Sequence, residues 1–192
     1  GEGGTVRGAP EETADGKPIN GVITSRWIPE KGDSGQLFGS VSLWLTPDFA
    51  LGADYRPLVD KLSITSTWRI LSGTPKTWKP SVILGTMADD FMIAGQQVKS
   101  RAFFGTLSQS LPSIDALNMT PIPYAGAAYI NELDDVRPVG GITLRHKEFS
   151  LLIQYSGTDT HLSISRQITE DFGASFVLWG MEMPGVALRW RF

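Results

Sequence analysis

The sequence ends in the stretch Gly185-Val186-Ala187-Leu188-Arg189-Trp190-Arg191-Phe192, which alternates strictly between two kinds of side chain. The large apolar side chains fall on one face, and they are Val186, Leu188, Trp190 and Phe192. Ala187 and the two arginines fall on the other face, and a period of two residues is typical of a β-strand. Arginine is rare in the core of a soluble protein, but it is expected where a strand lines a wet lumen.

Composition narrows the class of protein. The 192 residues suit a single domain, and 41% of them are hydrophobic while 19% are charged, against about 25% charged in a typical soluble domain. The net charge of −3 gives no electrostatic sign of nucleic-acid binding. Without cysteine the chain has no disulfide framework and no thiolate metal site. No apolar run is long enough for a transmembrane helix, but a membrane barrel would escape that test because only alternate residues are apolar.

Strand-like segments follow one another along almost the whole chain. Residues 1–19 are rich in Gly, Pro and Glu and are predicted to be a flexible leader, and residues 20–192 are predicted to form the barrel. Twelve segments read as strands, at 21–28, 37–46, 49–56, 62–70, 81–87, 97–107, 124–131, 139–146, 149–156, 160–168, 172–181 and 185–192. Turns are predicted at 88–90, within 133–138 and at other polar breaks. These segments predict an all-β fold, and an even number of strands is typical of single-chain outer-membrane barrels. The predicted architecture is therefore a closed antiparallel transmembrane up-and-down β-barrel of about twelve strands.

Several segments sort clearly into two faces. In the segment 62–70 the apolar residues alternate with serine, threonine and arginine. In 172–181, Phe172, Ala174, Phe176 and Leu178 share one side, and in 97–107 Val98, Ala102 and Phe104 are predicted to share the lipid face. Alternation of this kind indicates which residues lie inside and outside a barrel.

The C-terminal stretch resembles the terminal strand signal of bacterial outer-membrane β-barrel proteins. The resemblance rests on Val186, Leu188, Trp190 and Phe192, and it implies that the barrel insertion machinery reads these residues as an insertion signal. Residues 126–178 resemble, more loosely, small barrels associated with exopolysaccharide export in Gram-negative bacteria. That resemblance rests on the turn Tyr155-Ser156-Gly157-Thr158-Asp159 and the following hairpin, covers about a quarter of the chain and implies no catalytic residue.

Basic residues gather on the face opposite the apolar one. The predicted lumen-lining basic residues are Arg26, Arg56, Arg69, Lys99, Arg101, Arg145, Lys147, Arg189 and Arg191. A basic lining would create a positive potential that concentrates anions, which favours a passage for an anionic solute. In the alternative, these side chains fill and brace a narrow closed lumen, as is common in small barrels. Arg166 departs from this sorting, because it shares the apolar face of its strand with Leu162 and Ile164. It lies near a strand end, from which its long side chain would reach the membrane interface.

Aromatic residues near strand ends are predicted to meet the membrane interface. They are Trp27, Trp68, Trp179, Trp190 and Phe192. In a soluble sheet the same tryptophans would be core aromatics, and periodicity alone does not separate the two arrangements.

One strand carries residue types used in hydrolysis. Asp159, His161, Ser163 and Ser165 share a face, and His-x-Ser resembles the outer-membrane lipid A deacylases. That family has Asn after the Ser, whereas Ile164 follows here, and residues two apart on a strand lie about 6.6 Å from each other. Because no phosphate loop, nucleotide motif or metal spacing occurs, no enzyme activity, cofactor or metal is expected.

The sequence therefore leaves three hypotheses for function. The first is a non-enzymatic barrel in the bacterial outer membrane, serving as a structural subunit or a narrow anion-favouring pore. Its partners would be outer-membrane lipid, the insertion machinery and other envelope proteins of a larger assembly, without nucleic acid. The second is a soluble secreted all-β protein, a sandwich or jelly roll that binds carbohydrate through its tryptophans. The third is a lipid-modifying outer-membrane enzyme using Ser163.

Overall fold

Twelve strands make up most of the part of the chain that the structure describes. A computed structural model of the protein describes residues 20–32, 36–72, 79–93, 96–114 and 118–192, with the side chains of 87–101 and 132 left out. The leader predicted at 1–19 lies outside these ranges. The strands are β1 (Gly21–Trp27), β2 (Leu37–Thr46), β3 (Phe49–Arg56), β4 (Lys61–Leu71), β5 (Ser81–Ile93), β6 (Gln96–Ser108), β7 (Thr120–Ile130), β8 (Asp135–Arg145), β9 (Phe149–Tyr155), β10 (Thr160–Gln167), β11 (Phe172–Trp179) and β12 (Met183–Arg191).

Each strand pairs antiparallel with the next, and β1 also pairs with β12, so the sheet closes into a barrel. The closing seam runs from Val22 opposite Arg191 to Trp27 opposite Val186. Beyond it, the N–H of Gly21 donates to the Phe192 carbonyl oxygen at 2.9 Å. We call the end where β1 begins and β12 ends the near end, and the other the far end. The prediction of an all-β, closed, antiparallel barrel of about twelve strands is confirmed.

The strands form because their side chains alternate between an apolar outside and a polar inside. In β4, Leu62 and Ile64 are 65% and 57% exposed, while Ser63 and Thr65 between them are each 6% exposed. Only a period of two can separate these classes on one chain segment, which fixes the register of the strand. The alternative of a two-sheet sandwich is wrong, because its apolar side chains would be buried between sheets.

Two far-end turns share one local design. Tyr55 and Tyr129 each donate a hydrogen bond to an aspartate five residues later, over 3.1 Å to Asp60 and 2.8 Å to Asp134. Both aspartates adopt the left-handed conformation, with φ of 45° and 47°, after one turn of 3-10 helix. Aspartate tolerates this region better than most residues, so the sequence stops each hairpin sharply.

Several predicted boundaries are wrong. The turn predicted at 88–90 lies inside β5, which continues to Ile93 because it pairs with β6 along its length. The segments predicted at 124–131 and 139–146 begin too late, because β7 starts at Thr120 and β8 at Asp135. Pro121 and Pro123 lie within β7, and Pro138 lies within β8. The carbonyl oxygens of Pro121 and Pro123 still accept backbone hydrogen bonds, which keeps these prolines in the wall although they lack an N–H.

Candidate functional site: the outer wall and the lumen

The outer face of the barrel is mainly apolar wherever its side chains are described. Large aliphatic side chains are between 37% and 65% exposed around the wall, and they include Ile23, Val41, Leu43, Leu51, Leu62, Ile64, Leu84, Leu107, Ile153, Ile164, Val186 and Leu188. Among the strand residues whose side chains are described, Arg166 is the single charged residue on this face. A soluble monomer rarely exposes a continuous apolar surface of this extent.

Aromatic side chains form a ring near each end of the apolar band. The near ring consists of Phe49, Trp68, Phe149, Phe172, Trp190 and Phe192. The far ring consists of Trp27, Tyr55, Phe103, Tyr129 and Tyr155. Two aromatic girdles that flank an aliphatic band are typical of barrels embedded in lipid.

Four of the five predicted interface aromatics lie on the outer wall. Trp27 belongs to the far ring, and Trp68, Trp190 and Phe192 belong to the near ring, each at least half exposed. The prediction for Trp179 is wrong, because this side chain turns inward and is only 7% exposed. Its neighbour Leu178 shares the outer row with Phe176, so alternation directs Trp179 into the lumen.

The inner wall is polar, and much of it carries hydroxyl groups. Buried serine and threonine side chains line β1, β2, β4 and β6, at Thr24, Ser40, Ser42, Ser63, Thr65, Thr67, Thr106 and Ser108. On β10 and β11, Ser175 donates to Ser165 at 2.8 Å. The polar inside and apolar outside invert the arrangement of a soluble protein.

Basic and aromatic side chains pack together inside the far end of the lumen. We call this group the far-end cluster, and it consists of Arg26, Lys31, Phe38, Arg56, His161 and Trp179. The guanidinium carbon of Arg26 lies 4.8 Å from the Phe38 ring centroid and 4.6 Å from that of Trp179. The Lys31 ammonium nitrogen lies 3.5 Å from the Trp179 ring centroid. Such cation–π contacts strengthen when water is excluded, and Arg26 and Lys31 are only 1% and 3% exposed.

His161 completes the cluster as a neutral imidazole. Its ring stacks on Trp179 with centroids 3.9 Å apart, and its Nδ1 accepts the Gly180 N–H at 3.0 Å. A proton therefore resides on Nε2, which lies 3.2 Å from the Ser156 hydroxyl oxygen and donates to it. In this tautomer His161 cannot take the proton of Ser156, and Ser163 makes no hydrogen bond to His161. The structure thus does not assemble the hydrolytic set suggested by the sequence.

The predicted lumen cations differ in where they lie. Arg26 and Arg56 are inside and 1% exposed, and Arg189 and Arg191 are half-buried on the inner row of β12. Arg145 ends the inner row of β8 opposite Ser150 and is exposed. The prediction for Lys147 is wrong, because this residue lies exposed in the turn between β8 and β9, beyond the wall.

Arg69 lies at the near mouth of the lumen and is held by the turn between β2 and β3. Its Nε and Nη2 donate to one Asp48 carboxylate oxygen at 2.9 Å and 2.8 Å, and Nη2 also donates to the Pro47 carbonyl oxygen at 2.7 Å. The carboxylate offsets this positive charge, so Arg69 adds less to the lumen potential than its position suggests.

Lys99 and Arg101 belong to β6, but their side chains lie outside the described residues. The predicted sorting of this strand is nevertheless wrong, because Ala102 is fully buried inside and Phe104 packs inward over Gly85. Phe103 and Leu107 face outward instead, at 54% and 50% exposure. A phenylalanine covering a glycine on the neighbouring strand is a common way to fill a barrel interior, and hydrophobicity alone does not predict it.

Sequence reasoning missed three inner cations, one of which is Lys61, opposite Arg56 at the start of β4. The polar sequence Lys31-Gly32-Asp33-Ser34-Gly35 is typical of an exposed turn, but Lys31 is buried against Trp179. Arg137 lies on the inner row of β8 and pairs with Asp135 at 2.9 Å. Among described side chains on the inner face, basic residues outnumber acidic ones, and the acids are Asp54 and Asp135. Pro138 hides the true start of β8 in the sequence. Had the strand been extended back to Asp135, alternation would have placed Arg137 on the inner row.

Within the part of the chain that the structure describes, no group of three His, Asp or Glu side chains could hold a metal ion. No helix in that part is long and apolar enough to cross a membrane.

The geometry thus defines a closed twelve-stranded barrel with an apolar exterior. No protein family and no curated protein matches this sequence. A solved structure that is similar is the low-pH structure of Pseudomonas putida OprB, at 12% sequence identity and a TM-score of 0.34. The match covers 95% of this chain but 64% of OprB, so the chain spans less than two thirds of that protein.

Proposed function

We propose that this protein is a bacterial outer-membrane β-barrel that crosses the membrane with all twelve strands. The observation that carries the proposal is the outer wall, whose described side chains are mainly apolar between two aromatic rings. In water, side chains such as Leu62 and Ile64 would lose the hydrophobic stabilisation that burial provides, whereas acyl chains would cover them. Because the sheet closes on itself, each strand has a hydrogen-bonded neighbour on both sides, which leaves no open sheet edge to face lipid.

The same wall disfavours the soluble carbohydrate-binding alternative. That alternative needs its tryptophans in a binding face or core, but Trp27, Trp68 and Trp190 stand in the two rings at the edges of the apolar band. The insertion machinery is the proposed partner in assembly, and it would read the outward row of Val186, Leu188, Trp190 and Phe192. These four side chains are 47% to 58% exposed and lie beside the closing seam.

Within the membrane, the function best supported is a narrow passage that favours anions. Support comes from the excess of basic side chains on the inner face, above all Arg189 and Arg191 near one mouth. A low-dielectric wall strengthens the potential of such charges. The far-end cluster narrows the opposite mouth, so we expect low conductance.

A structural, non-conducting subunit of a larger envelope assembly is the second candidate. The near-complete burial of Arg26 and Arg56 favours it, because these side chains brace the far end from within. A lipid-modifying enzyme is the least supported function, since His161 is held in a tautomer unsuited to activating Ser156.

Membrane insertion can be tested on the purified chain. We expect it to need detergent for extraction, to migrate faster on a gel when unheated, and to float with phosphatidylcholine vesicles. A chain that stays monomeric and folded in buffer without detergent would refute the membrane proposal.

Ion selectivity separates the two candidate roles. In a salt gradient across a planar bilayer, the reversal potential should indicate anion preference, and Arg189→Glu should reduce that preference. Lys147→Glu is the matched control, because it makes the same charge change at the near end but outside the lumen. A cation preference in the wild type would overturn the passage, and the absence of any conductance would leave the structural role.

A further inference from the structure

Arg166 occupies a position that no other described charged residue shares. It lies on the outer face of β10, directly opposite Phe149 of β9 and Ala174 of β11, and its side chain is 75% exposed. A cation facing hydrocarbon is costly, but near the interface the cost falls towards zero. Phe149 belongs to the near aromatic ring, so Arg166 lies at the depth of lipid headgroups.

The surroundings of Arg166 are fixed by the backbone. The N–H of Gln167 donates to the Glu148 carbonyl oxygen at 2.7 Å, which holds the turn between β8 and β9 beside Arg166. In that turn His146 stacks on Phe149, with ring centroids 4.7 Å apart. A guanidinium group is therefore presented beside aromatic rings on a rigid part of the wall.

The guanidinium has only a weak partner within the protein. Its Nη2 lies 3.9 Å from a Glu148 carboxylate oxygen, beyond hydrogen-bond distance, and Glu148 is itself 69% exposed. Exposed ion pairs of this geometry contribute little. The other charged residues of the two flanking turns are Lys147, Glu170 and Asp171, all exposed. The planar donor fork of arginine matches a phosphate group in two hydrogen bonds at once.

The far ring has the opposite character. There Tyr55 and Tyr129 hold the carboxylates of Asp60 and Asp134 next to the wall. Carboxylates at headgroup depth repel phosphate, whereas a cation attracts it. Exposed carboxylates also occur at the near end, in Glu148, Glu170 and Asp171, so what distinguishes the near interface among the described residues is the outward-facing guanidinium group of Arg166.

We propose that Arg166 binds the phosphate of an anionic glycerophospholipid at the near-end interface. This inference rests on the proposed membrane location. It places the near ring in a leaflet that contains anionic phospholipid.

Native mass spectrometry of the detergent-solubilised barrel tests this assignment, with equimolar phosphatidylglycerol and phosphatidylcholine offered together. We expect the first bound lipid to be phosphatidylglycerol by about fivefold, the preference that one interfacial arginine supports. Arg166→Gln should abolish this preference, and Arg166→Lys should keep only part of it, because lysine retains the charge but not the paired donors. Lys79→Gln removes an exposed charge at the same end, away from the outer row, and should behave as wild type.

The outcomes separate the two proposals. An unchanged preference in Arg166→Gln overturns the lipid site, and so does a wild type that shows no preference but still floats with phosphatidylcholine vesicles. If inorganic phosphate binds Arg166 while the lipid preference is missing, the site takes free phosphate and the lipid assignment is wrong. A wild type that does not float at all overturns the membrane location itself.

Discussion

Replacing Trp179 with alanine removes the side chain around which the far-end cluster packs. Three groups contact its ring: Lys31 at 3.5 Å, Arg26 at 4.6 Å and the stacked imidazole of His161 at 3.9 Å. Truncating a buried tryptophan typically costs about 3–5 kcal/mol, and each desolvated cation–π contact accounts for roughly 1–2 kcal/mol of that. We therefore expect the free energy of unfolding of Trp179→Ala to fall by about 4 kcal/mol, near the top of the range for single substitutions.

Two measurements check this prediction. Urea unfolding of the barrel in lipid vesicles, followed by the heat-dependent gel shift, gives the loss of stability. Single-channel recording should show larger or more frequent openings, because the ring no longer blocks the far end of the lumen. Trp27→Ala is the matched control, since Trp27 lies at the same end but outside, 50% exposed, and it should leave conductance unchanged. A Trp179→Ala barrel within about 1 kcal/mol of wild type would refute the account of the cluster.

Three further substitutions test the wall. Ile164→Arg places a charge on the lipid band and should cost roughly 2–4 kcal/mol of stability in vesicles, and an unchanged unfolding midpoint would contradict a lipid-facing position. Gly126→Ala should prevent formation of the heat-resistant barrel, because the new Cβ would overlap the Gly105 carbonyl oxygen, whereas Gly39→Ala has nothing within 4 Å and should form it normally. Phe192→Ala should reduce the amount of barrel assembled in cells while the purified chain still refolds into vesicles, and equal assembly in cells would contradict its role as a signal.

The alternation of side chains predicted the architecture because it is a local property. In β4 and β12 each residue's face follows from its neighbours, and the structure confirms both rows. Alternation also predicts that Trp179 points inward, because its neighbour Leu178 points outward. The position of Trp179 near a strand end favoured an interface residue instead. Residues that favour turns gave a wrong prediction where strand pairing dominates. In β5, Asp89 and Asp90 are paired with β6 although their local preference is for a turn.

The contents of the lumen could not be predicted in this way, because they depend on contacts across the barrel. Lys31 and Trp179 are far apart in sequence and meet only after the barrel closes. Closure also makes the two mouths unequal, with Arg189 and Arg191 near one and the far-end cluster at the other. An anion entering at the near end would gain from those arginines and then meet a wall of packed rings and buried cations. The far-end cluster, more than the inner wall, should therefore set the conductance of the proposed passage, because Lys31 and Trp179 pack against each other there.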